Sequence, residues 1–124
     1  MNLKFYICEH CGNIITMLRS SGAPVSCCGE PMKELKANTT DAAQEKHVPV
    51  MEINGSHVTV KVGSAAHPML EAHYIMWICL QTSEGYQMAE LKPGDAPEAE
   101  FELAAGVKAE KAYAYCNMHG LWQN

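Results

Sequence analysis

At 124 residues, 48% of them apolar and 19% charged, the chain is long enough for one ordinary domain and a small appendage, and its composition argues against disorder. A formal charge of −5 argues against general nucleic-acid binding, which takes a surplus of Lys and Arg. No apolar run approaches the roughly 20 residues of a membrane span, and the stretch from Met1 to Cys8 lacks the apolar core and cleavage site of a signal peptide, so the expectation is a cytoplasmic protein without a membrane anchor. Six cysteines in such a chain point to metal or redox chemistry, because cytosolic disulfides are rare. Four of them crowd the first quarter, while Cys79 and Cys116 stand apart, which suggests two sites.

The first element is a module over residues 1–36 that carries Cys8-Glu9-His10-Cys11-Gly12-Asn13 and Cys27-Cys28-Gly29-Glu30-Pro31-Met32. So short a segment cannot bury enough apolar area to offset its chain entropy, and four thiolates on one ion would supply the missing stabilisation. Gly12 and Gly29 let the backbone turn close to the sulfurs. Adjacent cysteines must distort either the backbone or the tetrahedron. Zinc and iron both suit this donor set; a Cys27–Cys28 disulfide or four unligated thiols are the alternatives. His10, inside the chelate loop, is expected to face solvent and is not counted as a ligand.

Residues 37–44 are small and polar with no apolar period, and read as a linker. From residue 45 to 124 the pattern is β-rich. Residues 48–53, the turn signal Asn54-Gly55, and Val58, Val60 and Val62 alternating with Thr59 and Lys61 predict a hairpin with His57 on the face opposite the valines. Further strands are predicted over 74–81, 86–91, 98–103 and 109–115, joined by turns rich in Gly, Pro, Asp and Ser. Short strands at this spacing, without a long amphipathic helix, favour a sandwich of two antiparallel sheets. Cys79 lies in a nearly all-apolar strand and reads as a small buried hydrophobe. Trp77 and Trp122 read as core, and Glu98, Glu100 and Glu102 as the wet side of a half-solvated strand.

With His10 and His57 set aside, His47, His67, His73 and His119 remain, all at strand ends or in loops. Cys116-Asn117-Met118-His119 adds a thiol at chelating distance from the last of them. If those strand ends gather on one side of the sandwich, four imidazoles and one thiolate can meet at a single ion.

Together these segments resemble the desulfoferrodoxins, the two-iron class of superoxide reductase, over essentially the full length. Cys8-x2-Cys11 with Cys27-Cys28-Gly29-Glu30-Pro31-Met32 resembles the family's desulforedoxin-like module. Glu45-Lys46-His47, His67-Pro68-Met69, His73-Tyr74-Ile75 and Cys116-Asn117-x-His119-Gly120-Leu121-Trp122 resemble its catalytic segments. Leu70 and Met76 depart from the acidic or polar residues of relatives, at positions that are not ligands.

The resemblance implies an all-β protein in which a metal-stapled module precedes an immunoglobulin-like sandwich, usually as a homodimer. It implies two Fe ions per chain: one Fe(Cys)4 on Cys8, Cys11, Cys27 and Cys28, and one ferrous Fe(His)4(Cys). In the second, His47, His67, His73 and His119 lie in a plane, Cys116 is axial and the opposite position is open. Superoxide would take one electron there and leave as hydrogen peroxide, with electrons from a rubredoxin-like donor. Lys46 offers local positive charge for the anion and can orient a protonating water, while Glu45 can occupy the open position after oxidation. Dismutation, a zinc-bearing binding module and a pure electron carrier are the competing functions.

Overall fold

The computed structural model describes residues 3–124, so the first two residues of the expected metal module lie outside the described residues. The chain divides into two compact units, one ending at Lys36 and one spanning Ala37–Asn124.

The first unit is a set of very short strands: β1 (Phe5–Ile7), β2 (Ile14–Thr16), β3 (Ser26–Cys27), β4 (Glu30–Pro31) and β5 (Lys33–Glu34). β1 lies between β2 and β5, antiparallel to both, and β3 and β4 form a separate hairpin in which Cys27 faces Glu30. Phe5 and Cys8 are its only buried residues among those described. Burying a large apolar side chain is worth roughly 1.5–3 kcal/mol, far below the ordering cost of such a segment. The loops fold around the sulfurs instead. Gly12 N–H donates to Cys8 O and Cys8 N–H donates to Asn13 O, both at 2.8 Å, with Gly12 at φ +84°. The adjacent cysteines distort the backbone, since Cys28 sits at φ +53°, a region that costs a non-glycine residue about a kcal/mol or more.

The second unit begins with residues 37–44, whose polar side chains are used rather than idle. Asn38 N–H donates to Leu121 O at 3.0 Å, and the Asn38 amide both accepts from Gln123 N–H at 2.8 Å and donates to Gln123 O at 3.0 Å. One helical turn follows, α1 (Gln44–His47), and then the strands β6 (Pro49–Asn54), β7 (His57–Val62), β8 (Ile75–Thr82), β9 (Gly85–Glu90), β10 (Glu98–Glu102), β11 (Ala109–Cys116) and β12 (Gly120–Gln123). They form two antiparallel sheets, ordered β10-β7-β6 and β12-β11-β8-β9. Val58, Val60, Val62 and Phe101 of the first sheet and Ile75, Ile78, Leu80, Ala112 and Ala114 of the second belong to one core cluster. The all-β architecture expected from the alternating pattern is the observed one.

Period-2 alternation sorts the faces as expected: His57, Thr59 and Lys61 point away from the buried valines, and Glu98, Glu100 and Glu102 are exposed while Ala99 and Phe101 are buried. Asn54 remains in the ladder opposite His57, so Gly55 at φ +62° and Ser56 make the turn. Cys79 is fully buried, and burial pushes its thiol up to about 12. Among the described residues no helix is long and apolar enough to cross a membrane.

Two irregularities position the second site. The ladder between β11 and β8 slips after Tyr115–Trp77, so that Cys116 faces Ile75 and Met76 is the extra residue; its carbonyl accepts from Leu91 N–H at 2.9 Å. Bulges of this kind re-aim neighbouring side chains. Cys116 then faces Gly120 across the β11–β12 hairpin, which makes the Cys-x2-His segment a hairpin loop, with Gly120 at φ +78°.

Candidate metal centres

The thiols of Cys8, Cys11, Cys27 and Cys28 lie within 4.8 Å of one another. None is in a disulfide. The Cys11 and Cys27 sulfurs are 3.7 Å apart and those of Cys27 and Cys28 4.0 Å apart. Metal–sulfur bonds of ~2.3 Å in a tetrahedron leave sulfurs about 3.8 Å apart, so the spacing fits one ion held by all four. The electrostatics agree. Backbone N–H donation, chiefly from Cys11, lowers the Cys8 thiol to about 6, while the Cys8 and Cys11 sulfurs push Cys28 up to about 12. Four thiols this close cannot all ionise without a cation among them. His10 is exposed, stays outside the set and pairs with Glu30 at 3.2 Å.

In the second unit the donor atoms of His47, His67, His73 and Cys116 lie within 4.8 Å of one another. His119 borders that set, with Nδ1 3.1 Å from His47 Nε2 and 3.8 Å from Cys116 Sγ. The four rings close into a square: the sides His47–His67, His67–His73, His73–His119 and His119–His47 measure 4.6, 4.6, 5.0 and 4.9 Å between centroids. The His47–His73 diagonal is 6.4 Å. Neighbouring rings stand nearly perpendicular, at 80–83°.

The proton positions follow from the carbonyls behind the rings. His47 Nδ1 lies 2.7 Å from Ala43 O, and His67 Nδ1 lies 2.7 Å from Pro68 O. A carbonyl only accepts, so each ring carries its proton on Nδ1 and turns a bare lone pair on Nε2 inward. Those two lone pairs face each other at 3.2 Å, where neither can donate. Metal–nitrogen bonds of ~2.1 Å meeting at right angles leave adjacent nitrogens about 3.0 Å apart. His73 Nε2 is the one buried side-chain nitrogen or oxygen among the described residues without a hydrogen-bond partner. An orphaned nitrogen, facing lone pairs and a thiol beside them fit a cation, and an imidazole-thiolate donor set suits iron, copper or zinc.

The ligands arrive by different routes. α1 supplies His47, the loop before β8 supplies His67 and His73, and the β11–β12 hairpin supplies Cys116 and His119. His47 and His67 are buried and Cys116 is wholly so, whereas Glu45 and Lys46 are exposed. Burial lowers His47, His67 and His73, with His67 down to about 4, so all three favour the neutral ligand form. Burial pushes the Cys116 thiol up while the Met118 and His119 N–H groups act against it. Lys46 is close enough for its charge to depress His73 as well, after burial and His119.

Several residues outside the ligand set fix this geometry. Asn117 clamps both sides of His73: its Oδ1 accepts from Tyr74 N–H at 2.9 Å, its Nδ2 donates to Ala72 O at 3.1 Å, and its own N–H donates to Tyr74 O at 3.2 Å. Gly63 lies against the turn that carries Glu45 and Lys46, where an added Cβ would come within 2.8 Å of the Glu45 and Val48 carbonyl oxygens. Trp122, expected as core, is buried, but it also packs on His47 with centroids 4.9 Å apart and donates from Nε1 to His119 O at 3.0 Å. Trp77 is half-buried and stacks on Tyr115 at 5.7 Å. Asn117 and Trp122 stand in the Cys116–Trp122 segment that carries the family resemblance, although neither supporting role could be read from it; the spacing of Gly63 carried no such signal.

Comparison with known proteins covers the whole chain. Residues 39–124 match the family model described as desulfoferrodoxin, and residues 2–35 match the desulfoferrodoxin N-terminal domain. A desulfoferrodoxin from Nitratidesulfovibrio vulgaris is 51% identical over 122 residues, covering 97% of this chain and 94% of the relative. The crystal structure of a superoxide reductase from Treponema pallidum superposes with a TM-score of 0.85 at 42% identity, covering 100% of this chain and 99% of that one. A one-iron superoxide reductase from Giardia intestinalis covers 64% of this chain and 95% of its own, with a TM-score of 0.55 at 38% identity.

Proposed function

Because the chain belongs to the desulfoferrodoxin family, we propose that it is a superoxide reductase, which converts superoxide to hydrogen peroxide with one electron and two protons and makes no oxygen. The observation that carries this reading is the square of inward-facing imidazoles beside the buried Cys116 thiol. His47, His67, His73, His119 and Cys116 would hold one iron, and Cys8, Cys11, Cys27 and Cys28 the other. When bound by the histidines and Cys116, ferrous iron supplies the single electron that the reaction needs, and a thiolate ligand makes it electron-rich.

The chain's own residues supply the remainder. Lys46 Nζ gives an acidic protein a local positive charge that draws in a small anion, and it can hold the water that delivers a proton. The carbonyls of Ala43 and Pro68 keep the His47 and His67 protons on Nδ1, so that Nε2 stays free to ligate. Glu45, exposed two residues before His47 on the same turn, would offer a carboxylate to the iron held there. Its backbone is pinned, because Ala65 N–H and Ser64 Oγ–H both donate to Glu45 O, at 2.8 and 3.2 Å.

The working partners in this reading are superoxide, a rubredoxin-like electron donor and a second copy of the chain in a homodimer. Peroxide is counted after a pulse of superoxide meets the reduced protein. Reduction yields one peroxide per superoxide consumed; one per two would mean dismutation and would overturn the proposal. Metal analysis of anaerobically purified protein separates the enzyme, with two irons per chain, from a zinc-bearing binding module.

A further inference from the structure

Asn13 stands directly after the first chelate loop and reaches across to the second. Its backbone carbonyl accepts from Cys8 N–H at 2.8 Å, and its side-chain Nδ2 lies 3.7 Å from Cys27 Sγ, within hydrogen-bonding range for sulfur. The residue is therefore held from one side by the first cysteine pair while its amide donates to a thiol of the second. Gly12 at φ +84° makes the turn that delivers it.

We infer that Asn13 sets the reduction potential of the iron held by the four cysteines through an N–H···S hydrogen bond to Cys27; this role rests on reading that site as iron. Adding one electron to a ferric centre with four thiolates takes the unit from one net negative charge to two. No proton and no bond is exchanged in that step; the electron comes from an external one-electron reductant. The positive end of the amide dipole sits against a sulfur whose charge grows on reduction, so it stabilises the reduced form more than the oxidised one and raises the potential. Asn13 is thus a tuning residue that favours entry of electrons into the module. Because the contact is exposed, water can partly replace the amide, which limits the size of the effect.

The test is a spectroelectrochemical titration of the full-length, anaerobically prepared protein with Asn13→Leu, which keeps the bulk and removes the donor, and with Asn13→Asp, which replaces the donor by an acceptor. In Asn13→Leu the equilibrium constant for reduction should fall about tenfold, a midpoint shift of about 59 mV for one electron. The thiolate-to-iron charge-transfer band should move to lower energy with iron content unchanged. Asn13→Asp should fall at least as far. A midpoint at or above wild type in either variant overturns the role of Asn13. Wild-type protein in which the module holds no iron would instead overturn the reading of the site itself.

Discussion

The two units solve the same problem, holding soft donors around an ion, with opposite supports. In the first, Phe5 and Cys8 are the only buried residues among those described, and the sulfurs themselves are the centre around which two- and three-residue strands are laid. In the second, a core of valines, isoleucines, alanines and Phe101 from two sheets carries the donor atoms, which gather at strand ends and in loops, and of the donors only Cys116 belongs to that core. The donors take the place of a core in one unit and are mounted at the edge of one in the other. An ion that replaces a core must be enclosed by its ligands, whereas an ion mounted on a finished core can keep an open position.

Removing the metal would break that contrast most drastically. Stripping it with a chelator under reducing conditions should unfold the first unit, since a structural metal of this kind contributes on the order of 10 kcal/mol. The second unit should keep its sheets. Hydrogen exchange resolved by residue reads this: protection should vanish over β1, β2 and β5 and persist over β7, β8 and β11. Equal loss in both units would erase the distinction.

Next comes Cys116→Ser. The alcohol does not ionise as a thiol does and is a poor soft donor, so reduction of superoxide should fall by more than about a hundredfold, beyond the loss typical of a residue that merely supports a ligand. The sheets should persist, with the melting temperature lowered by roughly 5–15 °C because Cys116 is itself part of the core. Near-normal peroxide formation would remove Cys116 from the site.

Smaller still is Lys46→Ala, which leaves every candidate ligand in place. The second-order rate with superoxide should drop about tenfold at low ionic strength, and its dependence on salt should weaken. Stopped-flow rates over a salt series measure both, and an unchanged low-salt rate would discard steering by Lys46.

The mildest change concerns the face of β7 that points away from the buried valines. Hydrogen bonds donated by the His57 ring to the carboxylates of Glu102 and then Glu100 raise the His57 pKa above its ordinary value, and the pairing with Glu100 is at 3.1 Å. A raised folded-state pKa means that the contribution to stability is fully present below the unfolded value of about 6.5 and is lost as pH rises through the folded value. Thermal melts should therefore show His57→Gln less stable than wild type at low pH and equal to it once His57 is neutral in both states. A gap that persists at high pH would mean that the pair does not act through charge.

How much of this was legible in the sequence follows the same division. Alternation along β7 and β10 assigned the buried valines and exposed glutamates because one face of each strand packs and the other is wet. The cysteine spacing marked the first donor set because only a metal could compensate for so little apolar burial. The second donor set was visible as residues at strand ends, but its convergence depended on sheet order, which no local pattern carries. What stayed hidden were contacts made by ordinary residues at long range: Gly63 beneath the Glu45–Lys46 turn, Trp122 against His47 and Asn38 along β12. Residues 37–44 looked idle because a polar segment has no period, and its hydrogen bonds appear only when the partner strand is in place.

If the donors of the second unit are mounted at the edge of its core, superoxide chemistry should reside wholly in that donor set. The decisive experiment is a single-turnover superoxide pulse delivered to pre-reduced, full-length Cys28→Ser protein, with peroxide counted and the rate recorded. One peroxide per superoxide at the wild-type rate is the expected result, and failure to form peroxide, with iron still bound by the histidines and Cys116, would refute it.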